Sequence, residues 1–272
     1  MIINPYRFGQ PLLLDTYSGA AVAYSVRKLR TAYSGAALRV RRSSDNAESN
    51  IGFVANQLDT ASLLSFVGAG NGFVTTWYDQ SGNARNATNT TAANQPQIVS
   101  SGSILQINSK PALTFDGTND SLASSFGSTI LHPISIFNTV TYPTYNPSTN
   151  KYIFDSASSP RTAFIQSTLN RLQLFSGVVL EVPNTYIFNQ GSQYLFSTLS
   201  NSTSSYISVN GNIEVTGNSG TSGINALTLA RRFSNAEYAD VKYQELVLYP
   251  SNQTTNKSLI ETNINSYFNI YP

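Results

Sequence analysis

Short runs of apolar and β-branched residues, separated by Gly, Asn, Pro and Ser, recur along most of the chain. Runs of about four to eight such residues bounded by turn formers are typical of strands. From about residue 100 onward these runs follow one another at short intervals, which predicts an all-β sandwich. Asn210-Gly211 separates two of them, residues 204–209 and 213–216, and predicts a β-hairpin.

Helical spacing of apolar residues occurs in three segments. In residues 19–34 the residues Val22, Val26 and Leu29 recur at helical intervals, which predicts an amphipathic helix. Asp59 precedes a second short helix at 61–67 as an N-cap. Residues 254–268 predict a last helix near the end of the chain. We therefore expect a sandwich with a few peripheral helices.

The stretch 73–88 contains the only Trp of the chain. Residues 73–78 read as a strand that breaks at Asp79-Gln-Ser-Gly82. Two interpretations are open. Trp77, Tyr78 and Asp79 can stack on a sugar ring and accept hydrogen bonds from its hydroxyls, or Trp77 lies in the core while Asp79 only caps the turn.

The same stretch carries a family resemblance. Trp77-Tyr-Asp-Gln-Ser-Gly-Asn83 with Asn86-Ala-Thr88 resembles the signature of α-L-arabinofuranosidase B-type domains. The upstream motifs are similar too: Ala23-Tyr-Ser-Val-Arg-Lys-Leu-Arg30, Tyr33-Ser-Gly35 and Arg39-Val-Arg-Arg-Ser-Ser-Asp45. Beyond about residue 120 the resemblance is to a generic concanavalin A/laminin G-like pattern. It implies a jelly-roll sandwich of that type over residues 15–272. Domains with this opening also occur in bacteriophage fibre and spike proteins.

Composition narrows the function classes. Charged residues are 11% of the 272 residues, and the formal net charge is +2. This argues against nucleic-acid binding, which needs a dense basic face. The chain has no Cys and one His, which excludes disulfides, thiolate metal sites and His-rich zinc sites. No segment reaches the apolar length of a membrane span, and the first residues lack the pattern of a signal peptide.

Residues 1–14 are rich in apolar side chains and contain prolines. Ile2, Ile3, Tyr6 and Phe8 either pack on the chain's own sandwich or dock onto a partner, because exposed apolar surface is unfavourable in water. We expect a docking arm.

Glycoside hydrolysis needs two suitably placed carboxyl groups. The resemblance implies such a pair of carboxyl groups. None of the six glutamates lies in a motif that matches the catalytic carboxylates of that family. Asp116-Gly-Thr-Asn-Asp120 is oxygen-rich and can hold Ca²⁺, although it lacks the spacing of an EF-hand; no other cofactor is expected.

These observations favour a virion-associated appendage, such as a phage spike or fibre, whose sandwich binds host-surface glycans. It would be attached to other virion proteins through residues 1–14, homo-oligomeric, and located on the virion or an extracellular surface. The alternatives are an arabinofuranosidase-like glycoside hydrolase and a ligand-free structural decoration protein. For the site, we expect one cluster near one end of the sandwich, with either a structural or a ligand-binding role: Arg41, Asp45, Trp77, Tyr78 and Asp79.

Overall fold

The computed structural model describes residues 11–143, 149–183 and 186–272. It is built mainly of strands, which confirms the all-β prediction. The strands are Val22–Ser25 (β1), Leu38–Arg42 (β2), Glu48–Ile51 (β3), Phe53–Val54 (β4), Gln57–Leu58 (β5), Gly72–Trp77 (β6), Ala87–Thr88 (β7), Gln97–Ser100 (β8), Ser103–Ile104 (β9), Gln106–Ile107 (β10), Lys110–Pro111 (β11), Leu113–Thr114 (β12), Leu122–Ile130 (β13), Ile134–Thr141 (β14), Lys151–Asp155 (β15), Ala163–Gln166 (β16), Leu172–Phe175 (β17), Val179–Glu181 (β18), Gln193–Ser200 (β19), Ser205–Val209 (β20), Asn212–Gly217 (β21), Ile224–Leu229 (β22) and Lys242–Tyr249 (β23). The helices are Leu13–Thr16 (α1), Thr60–Val67 (α2) and Lys257–Phe268 (α3), with a 3₁₀ turn at Ala92–Asn94.

The strands form two antiparallel layers. One runs β21-β20-β19-β14-β23-β1, and the other runs β18-β17-β16-β15-β22-β13-β7-β6-β2-β3. Strands β8 and β12 connect them, because β8 pairs with β6, and β12 pairs with both β8 and β23. Aromatic side chains meet between the layers: Phe164 and Phe196 have ring centroids 5.4 Å apart. The layers therefore enclose one core.

The second layer also has an outer face. Phe154 and Phe164 point into the main core, whereas Tyr152, Ala163 and Ile165 form a separate apolar cluster. Alternate residues of a strand point to opposite faces, so this cluster lies on the outer face of β15 and β16. That face carries the candidate site described below.

The predicted helix at 19–34 is wrong. Residues Val22–Ser25 form a strand, and they pair in register with residues 245–248 of β23. All four residues are buried, so the strand is covered on both faces. A strand buried on both faces lacks apolar–polar alternation, and its apolar residues fell at helical intervals by coincidence.

Three local predictions are confirmed. Helix α2 begins after Asp59, whose carboxylate accepts a hydrogen bond from the Ser62 amide. Helix α3 is present, shortened at its start. Asn210 and Gly211 have φ of 49° and 90°, as the two-residue hairpin between β20 and β21 requires.

The proposed docking arm lies only partly within the described residues. Residues 1–10 are outside them. Leu13 and Leu14, at the end of the proposed arm, are buried in the main core and belong structurally to the sandwich. The role of residues 1–10 stays a prediction.

None of the helices in the described ranges combines the length and apolar character needed to cross a bilayer.

Candidate functional site

Trp77 lies inside the sandwich. Its side chain has no exposed surface, and its ring stacks on Tyr24 with the centroids 5.6 Å apart. Tyr243 meets it edge-on at 6.4 Å. In this structure the indole ring has no surface on which a sugar could stack.

Asp79 is a buried hydrogen-bond acceptor. Its carboxylate accepts from the amides of Ala23 at 2.9 Å, Ser81 at 2.9 Å and Arg85 at 3.0 Å, and from the Ser81 hydroxyl at 2.7 Å. Gln80 adds bonds from its side-chain amide to the carbonyls of Ser25 and Arg27. The motif therefore fastens the loop after β6 to the backbone around β1.

We expect Asp79→Asn to lower the free energy of unfolding by about 2–3 kcal/mol, because an amide presents N–H groups where the carboxylate accepts four donors. Urea unfolding would measure this. Asp45→Asn is the matched control, since Asp45 is exposed and, among the described residues, pairs with its near neighbour Arg42 and the Ala47 amide. Equal midpoints for the two variants would contradict the framework role of Asp79.

The five predicted site residues do not meet. Leu38 of β2 pairs with Trp77, whereas Arg42 pairs with Gly72 at the opposite end of β6. Arg41 and Asp45 therefore lie away from Trp77 and Asp79. Arg41 donates to Gln95 at 2.7 Å.

Tyr78 lies beside the Trp77 end of β6, where its hydroxyl donates to Asn50. The proposed ligand-binding roles of Tyr78, Arg41 and Asp45 stay predictions.

Asp116 and Asp120 close their own turn. The Asp116 carboxylate accepts from the amides of Thr118, Asn119 and Asp120, and the Asp120 carboxylate accepts from the Asp116 amide. Burial, with the nearby Asp116 charge, raises the pKa of Asp120 to about 7. The calcium site suggested for this pair stays a prediction; the described residues contain no group of three or more His, Cys, Asp or Glu arranged to hold a metal.

The raised pKa of Asp120 predicts a pH effect on stability. Between the unfolded pKa of about 3.9 and the folded pKa of about 7, the folded chain holds a proton that the unfolded chain lacks, so stability falls as pH rises through this window. Asp120→Asn removes the ionisation. The melting temperature of the variant should therefore rise relative to that of the unaltered chain between about pH 5 and about pH 8. A constant difference across this range would refute the assignment.

A polar cleft of about 450 Å³ opens on the outer face of the second layer. Its walls come from three separate segments, and in the described structure they carry hydroxyl, amide and phenol groups and one guanidinium but no carboxylate. The polar cleft is lined by Thr88, Asn89, Thr90, Thr91, Asn94, Ser121, Ala123, Arg231, Asn235 and Tyr238. Its size suits one or a few sugar units.

One wall of the polar cleft is fixed by Asn89. Its side-chain amide donates to the carbonyls of Asn94 and Ser121, both at 2.8 Å, and its side-chain oxygen accepts from the Thr91 amide. This wall is preorganised before any ligand arrives.

The opposite wall is the cleft loop, residues 231–238. Arg232 donates from its amide to the Ala236 carbonyl, and its guanidinium pairs with Glu237 at 2.7 Å. The Phe233 amide donates to the buried carboxylate of Asp155. Glu237 has a φ of 54°, which is unusual for a residue with a side chain. Such conformations cluster at functional sites.

An arginine–aromatic cluster adjoins the cleft loop. The Arg161 guanidinium lies 5.2–5.4 Å from the ring centroids of Tyr152, Phe175 and Phe233. It also binds Asp155 through two hydrogen bonds of 3.0 Å. Burial nevertheless raises the pKa of Asp155, since desolvation outweighs the opposing effect of Arg161.

Each of three carboxylates at or beside this face pairs with an arginine: Asp155 with Arg161, Glu181 with Arg171, and Glu237 with Arg232.

Sequence reasoning missed the polar cleft and the cleft loop. The polar run at residues 88–91 was a usable signal, but nothing in the sequence connects it to residues 231–238.

A family model described as "Alpha-L-arabinofuranosidase B, catalytic" matches residues 15–163. No curated protein sequence matches the chain. Three solved structures of arabinofuranosidases, two of them described as GH54 α-L-arabinofuranosidases, are similar in fold, each over 92% of this chain and 63% of the matched chain.

These three structures differ in what they contain. One was soaked with a cyclic sulfate inhibitor (16% identity, TM-score 0.69), and one is complexed with arabinofuranosyl-α-1,2-xylobiose (15%, 0.69). The third is a mutant soaked with 4-nitrophenyl α-L-arabinofuranoside (17%, 0.65). The chain thus spans less than two thirds of the length of the proteins it resembles.

These matches correct the interpretation of the chain as a virion-associated appendage for host attachment. The family model and the solved structures all describe arabinofuranosidases, and nothing in them points to a phage, a virion or a tail fibre. The motif shared with phage proteins is a framework motif here, as the contacts of Asp79 show, and it does not identify the particle or organism in which a domain is used.

Proposed function

Since the chain belongs to the α-L-arabinofuranosidase B catalytic family, we propose that it is an arabinofuranosidase-like glycoside hydrolase whose substrate lies in the polar cleft. The observation that carries the proposal is the family match over residues 15–163, which include the cleft walls at 88–94 and 121–123. The neutral hydrogen-bonding groups of the cleft suit the hydroxyls of a sugar. Its volume of about 450 Å³ accommodates a terminal arabinofuranosyl unit and part of its neighbour.

Glu237 is the carboxylate that we assign to the chemistry. It belongs to the cleft loop, its side chain is 22% exposed, and the Arg232 guanidinium holds it at 2.7 Å. Because Glu237 does not line the polar cleft, this role requires the cleft loop to turn its carboxylate toward the substrate, where it would act on the anomeric carbon directly as a nucleophile or through a water molecule.

The second carboxyl in our proposal is Asp155. Burial raises the pKa of Asp155, whereas Arg161 and the amides of Ser156 and Phe233 donate to its carboxylate and favour the ionised form, so a general-acid role requires Asp155 to give up some of these hydrogen bonds and take up a proton. Its side chain is fully covered and bound to Arg161 and to the cleft loop. The proposal therefore requires the cleft loop to move when substrate binds, so that Asp155 can reach the leaving-group oxygen.

Incubation with 4-nitrophenyl α-L-arabinofuranoside tests the proposal. Release of 4-nitrophenol that saturates with substrate concentration is the expected result. Saturable binding of the sugar with no release would show that the family's fold serves recognition without hydrolysis here, and the hydrolase assignment would fall.

The narrower expectations stay predictions. They include the concanavalin A-like classification of the sandwich, an extracellular location, homo-oligomer formation and the lack of nucleic-acid partners. The low share of charged residues, 11%, supports the extracellular location and the lack of nucleic-acid partners.

A further inference from the structure

Arg231 differs from the other arginines in the described ranges. Each of the others donates a hydrogen bond, and most form an ion pair or lie over an aromatic ring, for example Arg30 with the Ser81 carbonyl and Arg85 with Phe126. The guanidinium of Arg231 makes no hydrogen bond or ion pair within the described structure, and its Nε is buried without a partner. The terminal nitrogens of Arg231 are not among the buried atoms without a partner, so they are open to solvent, and a ligand in the cleft can bind them without breaking an existing hydrogen bond.

Arg231 lines the polar cleft, and none of the other described lining residues is charged. The cleft therefore has a positive charge and a ring of neutral donors and acceptors, including Asn89, Asn235, Tyr238 and three threonines. A guanidinium is suited to a carboxylate, because its parallel N–H groups match the two oxygens. The surrounding hydroxyls and amides are suited to a sugar ring.

The two neighbouring arginines, Arg161 and Arg232, cannot take the place of Arg231. Arg232 already pairs with Glu237, and Arg161 already pairs with Asp155. Among Arg161, Arg231 and Arg232, Arg231 therefore has the one guanidinium that is free to bind a ligand, and it lines the polar cleft.

We propose that the polar cleft binds a glycan unit that carries a carboxylate, a uronic acid residue, with Arg231 as the residue that recognises the acid group. This deepens the proposed function and rests on it in one respect: the arabinofuranosyl unit to be cleaved would belong to an acidic glycan. The recognition itself does not depend on hydrolysis, so the two can be tested separately.

Titration calorimetry on the full chain tests the proposal with three probes: a galacturonic acid trisaccharide, the same trisaccharide with its carboxyl groups reduced to alcohols, and inorganic phosphate. We expect the acid form to bind at least about tenfold more tightly than the reduced form, as one charge-assisted pair predicts. Raising the salt concentration should narrow this difference.

Arg231→Gln should bring the acid form down to the affinity of the reduced form. Arg39→Gln is the matched control, because Arg39 lies on β2 beside the edge strand β3, where its exposed side chain pairs with Glu48 and does not line the polar cleft; it should leave both affinities unchanged. Equal binding of acid and reduced forms by the unaltered chain would overturn the proposal, and so would an Arg231→Gln variant that keeps the preference. Phosphate that binds as tightly as the uronate would overturn the assignment to a sugar acid and indicate a general anion site.

The failures of the two proposals are distinguishable. Turnover of the neutral aryl arabinofuranoside without any preference for uronate would refute only the acidic-glycan inference. Uronate binding that depends on Arg231, with no turnover, would refute only the hydrolase assignment.

Discussion

Glu237→Gln should reduce turnover of 4-nitrophenyl α-L-arabinofuranoside by about 10³-fold or more while leaving the fold intact. Gln keeps the size of the side chain but cannot attack as an anion or accept a proton from water. Glu237 is partly exposed and lies on the cleft loop, so we expect the substitution to cause no large loss of stability. Initial rates over a range of substrate concentrations would place the loss in kcat.

Glu214→Gln provides the matched control. Glu214 lies on β21, at the far edge of the other layer, and the same substitution there should leave turnover unchanged. If Glu237→Gln retains activity like this control, Glu237 is not the reacting carboxylate and its assignment is wrong.

Arg27→Met should destabilise the chain by about 3–5 kcal/mol, the usual cost of leaving one partner of a buried ion pair alone. Arg27 binds Glu245 through two hydrogen bonds of 2.7 and 2.9 Å, and the Glu245 side chain has no exposed surface. Arg27 also lies over the rings of Tyr267 and Phe268 on α3. The pair therefore connects the segment that follows β1 with β23 and α3. Denaturant unfolding would measure the loss.

Arg39→Met separates the effect of burial from the effect of the substitution. Arg39 pairs with Glu48 at a similar distance but at the surface, where water solvates the partner left behind. We expect no measurable change in its unfolding midpoint. Comparable losses for Arg27→Met and Arg39→Met would mean that the buried pair contributes no more than a surface one.

Local signals predicted local structure well. The Asn210-Gly211 hairpin and the Asp59 cap depend on residues within a few positions of each other, and both are present. The segment 22–25 was mistaken for helix because its environment is set by β23, more than 200 residues away. A strand covered on both faces cannot be distinguished from a buried helix by periodicity alone.

The site was predicted less well for a related reason. The motif around Asp79 can be recognised in the sequence because its side chains bind backbone groups at fixed positions. Such contacts require particular residue types at particular spacings. The polar cleft is made of segments 88–94, 121–123 and 231–238, whose side chains face open space and keep no fixed spacing. The family resemblance therefore identified the residues that hold the fold together. Locating the polar cleft required the three-dimensional structure, which brings its three segments together.

The pairing of β1 with β23 also bears on how the chain is made. The sheet register joins residues 22–25 to residues 245–248, and β14 and β12 also pair with β23. Residues 242–249 must therefore leave the ribosome before the first layer can close, and until then the edges of β1, β12 and β14 stay unpaired with β23. Contacts of such long sequence separation slow folding and favour association between unfinished chains. A fragment cut at residue 163, where the family match ends, would lack the strand that β1, β12 and β14 all require, and it should be recovered mainly as aggregate.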